Sequence, residues 1–187
     1  MTINSDVVIQ QGNSYFGRLK TNEILTDMLE EYISEHKIIT KPGNPKKEQG
    51  YAYAGGLIKL ALDVTTKMVH LNNLYKKENQ LPLKSIVKVG LLYQIGKCEM
   101  YIPETSEWHK TNLGRMYNYN PDITSMTIGE RSVLILLRCG VPLTDQEYVA
   151  ILNHNKLDDN ASEYHNSQIG DLLKSAIKLV LSEEKLK

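Results

Sequence analysis

Residues 83–95 constrain the fold more than any other stretch of this chain. Ile86, Val87, Val89, Leu91, Leu92 and Ile95 follow one another so closely that a helix made from them is apolar around most of its circumference. Such a helix is stable only when other elements surround it. Pro82 suits its first turn. The surrounding elements are legible as amphipathic patterns. Thr21 to Lys37 repeats Ile24, Leu25, Met28, Leu29, Tyr32 and Ile33 at helical spacing, with Thr21 or Asn22 as its cap. Gly55 to about Tyr75 carries the stripe Leu57, Leu60, Ala61, Val64, Met68 and Leu71. Thr127-Ile-Gly-Glu130 and Thr144-Asp-Gln-Glu147 have capping-box spacing, each ahead of an apolar run. Ser167 to Glu183 presents Ile169, Leu172, Leu173, Ala176, Ile177 and Val180. These patterns predict a mainly α fold, a single helical bundle of about six helices spanning residues 1–187.

Two stretches break the pattern. Thr40 to Gln49 contains Pro42, Gly43 and Pro45 and is expected to be a loop. From about residue 99 to 119, Met100-Tyr101-Ile102, Trp108-His109-Lys110 and Arg115-Met116-Tyr117 are short and aromatic-rich. Turn-forming residues separate them, which predicts a small β-hairpin insertion that turns near Glu104 to Glu107. Within it, Trp108 and His109 are expected to pack across paired strands. The chain holds 11 Tyr against one Phe and one Trp, a skew that suits half-buried or interface positions.

Composition excludes several function classes. Lys plus Arg and Asp plus Glu are equal at 22 each, so no global field draws the chain to nucleic acid or to a membrane. Lys41, Lys46 and Lys47 form a local basic patch, read most simply as a solvated loop. The polar stretch from Met1 to Gln11 argues against a secretory leader, and no apolar run reaches bilayer length. Cys98 and Cys139 are read as reduced thiols of a cytoplasmic protein. The sequence has no phosphate loop, nucleophile elbow or dinucleotide fingerprint.

Five segments, in order, resemble the HD-domain metal-dependent phosphohydrolases. Gly55-Gly56-Leu57-Ile58-Lys59-Leu60-Ala61-Leu62-Asp63-Val64 is similar to a family segment with the same opening, in which a metal-ligand His stands at the position of Leu60. Val87 to Lys97 resembles the central helix with its His-Asp-x-x-Lys signature. Here Tyr93 and Gln94 occupy the His-Asp pair, and Lys97 matches the signature Lys. Thr127-Ile128-Gly129-Glu130-Arg131-Ser132 is similar to Gly-His-Gly-Glu-Lys-Ser, with Ile128 at the His. Leu143 to His154 ends where the family often has a His, and Ile169-Gly170-Asp171-Leu172-Leu173 resembles the closing segment with its metal carboxylate, here Asp171. The resemblance implies an HD-like bundle and, in catalytic relatives, a divalent metal such as Mn, Fe, Mg or Zn. It also implies that Lys97 and Arg131 stand near the phosphate site.

The residues at these positions argue against that chemistry. Divalent ions need oxygen or imidazole nitrogen donors. Leu60 and Ile128 have none, Tyr93 is a phenol with an ordinary pKa near 10, and Gln94 offers at best a neutral carbonyl. Asp171 alone matches, and one carboxylate does not hold a catalytic metal. The expectation is therefore a degenerate HD domain with no metal cofactor and no catalytic residue, kept as a nucleotide- or phosphoester-binding or protein-interaction module. Lys97, Arg131 and His154 are its candidate ligand contacts, and Asp171 is expected to bridge to Lys97 or Arg131. Two alternatives stay open. One is a phosphohydrolase with a site rebuilt from His154, His165, Asp171 and Asp63. The other is a structural protein that self-associates through the Tyr-rich hairpin.

Overall fold

A computed structural model describes residues 5–155 and 167–186. The fold is mainly helical with one small antiparallel β-hairpin. Its helices are α1 (Ser5–Thr21), α2 (Asp27–Glu35), α3 (Gly56–Asn72), α4 (Leu83–Leu92), the single turn α5 (Lys97–Met100), α6 (Glu107–Asn112), α7 (Ile128–Arg138), α8 (Asp145–Asn153) and α9 (Gln168–Glu184). Strands β1 (Tyr101–Pro103) and β2 (Tyr117–Tyr119) pair with Tyr101 opposite Tyr119, Ile102 opposite Asn118 and Pro103 opposite Tyr117. Among the described residues, no helix is long and apolar enough to cross a membrane.

The apolar segment is the centre, as its pattern requires. Every residue of α4 from Ile86 to Leu92 is buried, and α3, α1, α8 and α9 pack on it. Burial of each large apolar side chain here contributes about 1.5–3 kcal/mol. The approach of α3 to α4 is close because Gly90 has no side chain; a Cβ there would meet Thr65 Oγ1 at 2.6 Å. On the far side of the bundle α9 packs against α3 and α8, and α7 packs against α8. There Gly129 serves the same purpose, since a Cβ would meet the Leu152 carbonyl oxygen at 2.2 Å.

Helix starts follow the predicted capping in the second half of the chain. Thr127 and Thr144 each accept from the backbone N–H three residues on, and Glu130 and Glu147 complete the boxes. Glu147 is buried and pairs with Lys88 at 2.9 Å. Burial pushes its carboxyl up, but the Lys88 ammonium and the Thr144 amide more than reverse this and leave it below its ordinary value. Lys88 also donates to the Pro142 carbonyl at 2.8 Å, so this charged pair ties α4 to the start of α8.

The first half departs from expectation. Thr21 does not cap a helix to Lys37; it ends α1, a helix that the polar N-terminal sequence did not announce. Asn22 turns its amide back to the Arg18 carbonyl at 2.8 Å, and Glu23 takes a left-handed φ of 53°. The next helix starts only at Asp27, capped by Thr26, whose hydroxyl accepts from Leu29 N and donates to the Cys139 carbonyl at 2.6 Å. The expected helix starts too early because Ile24, buried in the turn between α1 and α2, extends the apolar spacing of α2 towards the N-terminus. The insertion differs too. Its strands are joined by α6, so Trp108 and His109 lie on a helix and not in paired strands. Ser106 caps that helix by accepting from His109 N.

Candidate functional site

The positions that the resemblance matches to a metal set lie on different elements and differ in burial. Leu60 on α3, Tyr93 at the end of α4 and Gln94 after it are each no more than 2% exposed. Ile128 is half-buried at the start of α7, whereas Asp171 is exposed on the first turn of α9. The expected bridge from Asp171 to Lys97 or Arg131 is not made, because both cations are buried and bonded elsewhere. The donors present do not fit a divalent ion. Leu60 and Ile128 contribute carbon only. Burial pushes the Tyr93 phenol further above its ordinary value, which disfavours phenolate. Gln94 Nε2 is buried without a hydrogen-bond partner among the described residues and borders a cavity of about 10 Å³, room for one water, lined also by Tyr15, Leu57 and Ala61.

The candidate ligand contacts are partly brought together. His154 meets the edge of the Tyr93 ring at a centroid distance of 4.9 Å, and its Nδ1 donates to the Ile151 carbonyl at 2.7 Å. Burial lowers its pKa to about 4, helped by the Lys97 charge and opposed by the Ile151 bond. His154 is thus a neutral packing partner of Tyr93 at pH 7. Lys97 Nζ reaches across the fold to the Gly43 carbonyl at 2.6 Å and Asn44 Oδ1 at 2.9 Å. Burial lowers its pKa to about 7. The Lys97 ammonium pins the Pro/Gly-rich loop to the core, a structural duty that the sequence did not suggest.

Both terminal nitrogens of Arg131 are bonded to the protein, while its buried Nε has no hydrogen-bond partner among the described residues. Nη1 bonds Glu99 Oε2 at 2.8 Å and Nη2 donates to the Thr124 carbonyl. Glu99 is the hub of a wider cluster. Its Oε1 accepts from the Tyr32 hydroxyl at 2.8 Å and lies 3.3 Å from His36 Nε2. The His36 and Tyr32 rings stack at 4.1 Å, and Cys98 Sγ is 3.0 Å from the Tyr32 hydroxyl. Burial pushes the Cys98 thiol up to about 12, so it is not a poised nucleophile. The sequence offers Glu99, beside Glu130, as a salt-bridge partner for Arg131, but gives no sign of Tyr32 and His36, which lie more than sixty positions from Glu99 with no periodicity to link them.

Of the residues offered for a rebuilt hydrolytic site, Asp63 sits apart from His154 and Asp171 in its own cleft. Asp63 is held by Lys59 and by the Tyr51 hydroxyl at 2.9 Å, in an open cleft of about 420 Å³ between α3 and α9. Neither His154 nor Asp171 lines that cleft. His165 lies outside the described residues.

The excursion from β1 to β2 is built differently. Ile102, Trp108, Leu113 and Tyr119 are 40%, 61%, 43% and 65% exposed. Their support is firm. Glu104 accepts from Ser106 N at 2.8 Å and from His109 Nδ1 at 2.9 Å, and its amide donates to the Met116 carbonyl. The Ser106 amide and the His109 ring hold its carboxyl down to about 2. Beside it lies a cleft of about 540 Å³ whose lining includes Lys46, Lys47, Glu48, Asn112, Leu113 and Arg115.

No protein-family model matches this sequence, and neither a curated protein nor a solved structure matches it.

Proposed function

We propose that this chain is a degenerate HD-like domain that works as a protein-interaction module, without a metal cofactor, and that residues 101–119 are its recognition surface. The observation that carries this reading is the exposure of the chain's single tryptophan, Trp108, with Ile102, Leu113 and Tyr119 on one hydrogen-bonded excursion. Aromatic side chains held out by a firm scaffold are the usual anchors of protein interfaces. The phosphoester branch of the expectation has less support, because Lys97 Nζ and both terminal nitrogens of Arg131 point at the protein's own oxygens. In this reading the protein acts in the cytoplasm, with Cys98 and Cys139 free and buried.

The test is elemental analysis of the purified protein combined with a thermal-shift screen against divalent metals, nucleotides and cyclic dinucleotides. The expected result is substoichiometric metal and no ligand that raises the melting temperature, since a ligand of the folded state stabilises it. Stoichiometric transition metal together with phosphoester turnover would overturn the reading.

A further inference from the structure

The reading of residues 101–119 as a recognition surface leaves open what occupies it, and the distribution of charge answers that. The walls of the adjoining cleft are tied in place. Lys47 N donates to the Gly114 carbonyl and Met116 N to the Pro45 carbonyl, each at 2.9 Å, and Lys46 and Arg115 form an antiparallel bridge. A preformed cleft loses little freedom when filled. Lys46 lies 3.5 Å from Glu48. Lys47 and Arg115 form no ion pair among the described residues. Two uncompensated cations beside exposed Leu113 suit a ligand that is anionic and partly apolar.

The chain carries such a ligand itself. α2 exposes Asp27, Glu30, Glu31 and Glu35, has no basic residue in its last turn, and forms no ion pair through these four among the described residues. Met28 stands among them, 57% exposed. The formal net charge is zero, so two copies do not repel as wholes, while their opposite patches attract. A foreign acidic partner would account for the cleft only. A second copy accounts for the cleft and for the acidic helix with one contact.

We propose that the Lys47–Arg115 cleft receives the acidic face of α2 from a second copy of this chain. The two patches differ, so the contact closes as a two-fold pair when each copy gives both, or continues head to tail.

Sedimentation equilibrium of the full chain at low ionic strength tests this. The expected mass rises with concentration above the 21.3 kDa monomer and returns to monomer at about 1 M salt, where the screening length is about 3 Å. Two double variants sharpen the test. Lys47→Glu with Arg115→Glu, and separately Glu30→Lys with Glu31→Lys, each give a monomer. Mixed together they associate again, because the reversed cleft now meets a reversed helix. Circular dichroism and melting curves of both variants establish that they fold. A wild type that stays monomeric at low salt, or a mixture that fails to associate, overturns the proposal. Either result leaves the interaction reading standing with a foreign partner, whereas bound metal with turnover would remove that reading itself.

Discussion

The inner end of α4 and the outer excursion contain the same residue types and use them in opposite ways. Inside, Lys97, Arg131 and His154 stand where the family resemblance places ligand contacts, and each bonds a protein oxygen. Outside, Lys47, Arg115 and Trp108 bond nothing through their side-chain polar atoms among the described residues. A cation at a position singled out by resemblance therefore says little until its donors are accounted for. Inside, Coulombic and hydrogen-bonding capacity holds the fold together; outside, it remains available for a partner. The comparison makes a sharp division: inner substitutions should lower stability, and outer ones should lower association.

The largest expected effect comes from Tyr93→Ala. The side chain is 2% exposed and packs on His154, and its removal should cost about 3–5 kcal/mol by denaturant titration. Arg131→Leu comes next. It leaves Glu99 with its Tyr32 and His36 contacts but without its strongest cation. Because Glu99 is partly exposed, the loss should be about 1–3 kcal/mol. A stable Tyr93→Ala protein that has lost a ligand would break the comparison, since it would put recognition on the inner face.

The sequence shows why one half of this division was legible and the other was not. Local rules found α3, α4, α7, α8 and α9, because stripes and capping boxes at Thr127 and Thr144 are short-range signals. They failed at α1, whose residues carry no clear apolar stripe, and at the Ile24 turn, where one buried apolar residue made α2 look longer than it is. They also failed at α6, whose six residues are too few for a periodicity. At the candidate site, residue chemistry alone foretold that Leu60 would be core. It could not foretell that Lys97 bonds the Gly43 carbonyl, 54 positions away, or that Asp171 faces solvent. Those facts depend on which ends of which helices meet, and the pattern of a single helix does not contain that information.

A pH titration of stability sharpens the inner side of the comparison. Burial lowers the Lys97 pKa from 10.5 to about 7. Between those values the unfolded chain holds a proton that the folded chain has released, so raising the pH favours the fold. The full cost of burying the charge is present below pH 7 and is relieved as the pH rises. Wild-type stability should therefore climb from pH 7 to about 8.5 by up to about 1.4 kcal/mol per unit. Above that point unfolded cysteines titrate as well. Lys97→Met should be less steep in this window by the same amount. An identical slope in both proteins would mean that the Lys97 ammonium reaches water and does not serve as a buried pin.

The smallest effect on stability is expected at Trp108→Ala, and it is the most informative because the division depends on it. The side chain is 61% exposed and its ring meets the edge of His109 at a centroid distance of 5.7 Å. The helix beneath it is held by Glu104 and by the Ser106 cap, neither of which the substitution touches. Stability should therefore stay within about 0.5 kcal/mol of wild type. Association should weaken by about tenfold or more if Trp108 is an interface anchor, because truncating a buried interface tryptophan removes at least about 1–2 kcal/mol of binding. Paired melting and sedimentation measurements on the same sample separate the two quantities. A Trp108→Ala protein that loses stability on the scale of Tyr93→Ala would show that the excursion is part of the core. One that keeps both stability and association would show that the exposed aromatic is only a solvated side chain, and the outer region would lose its anchor.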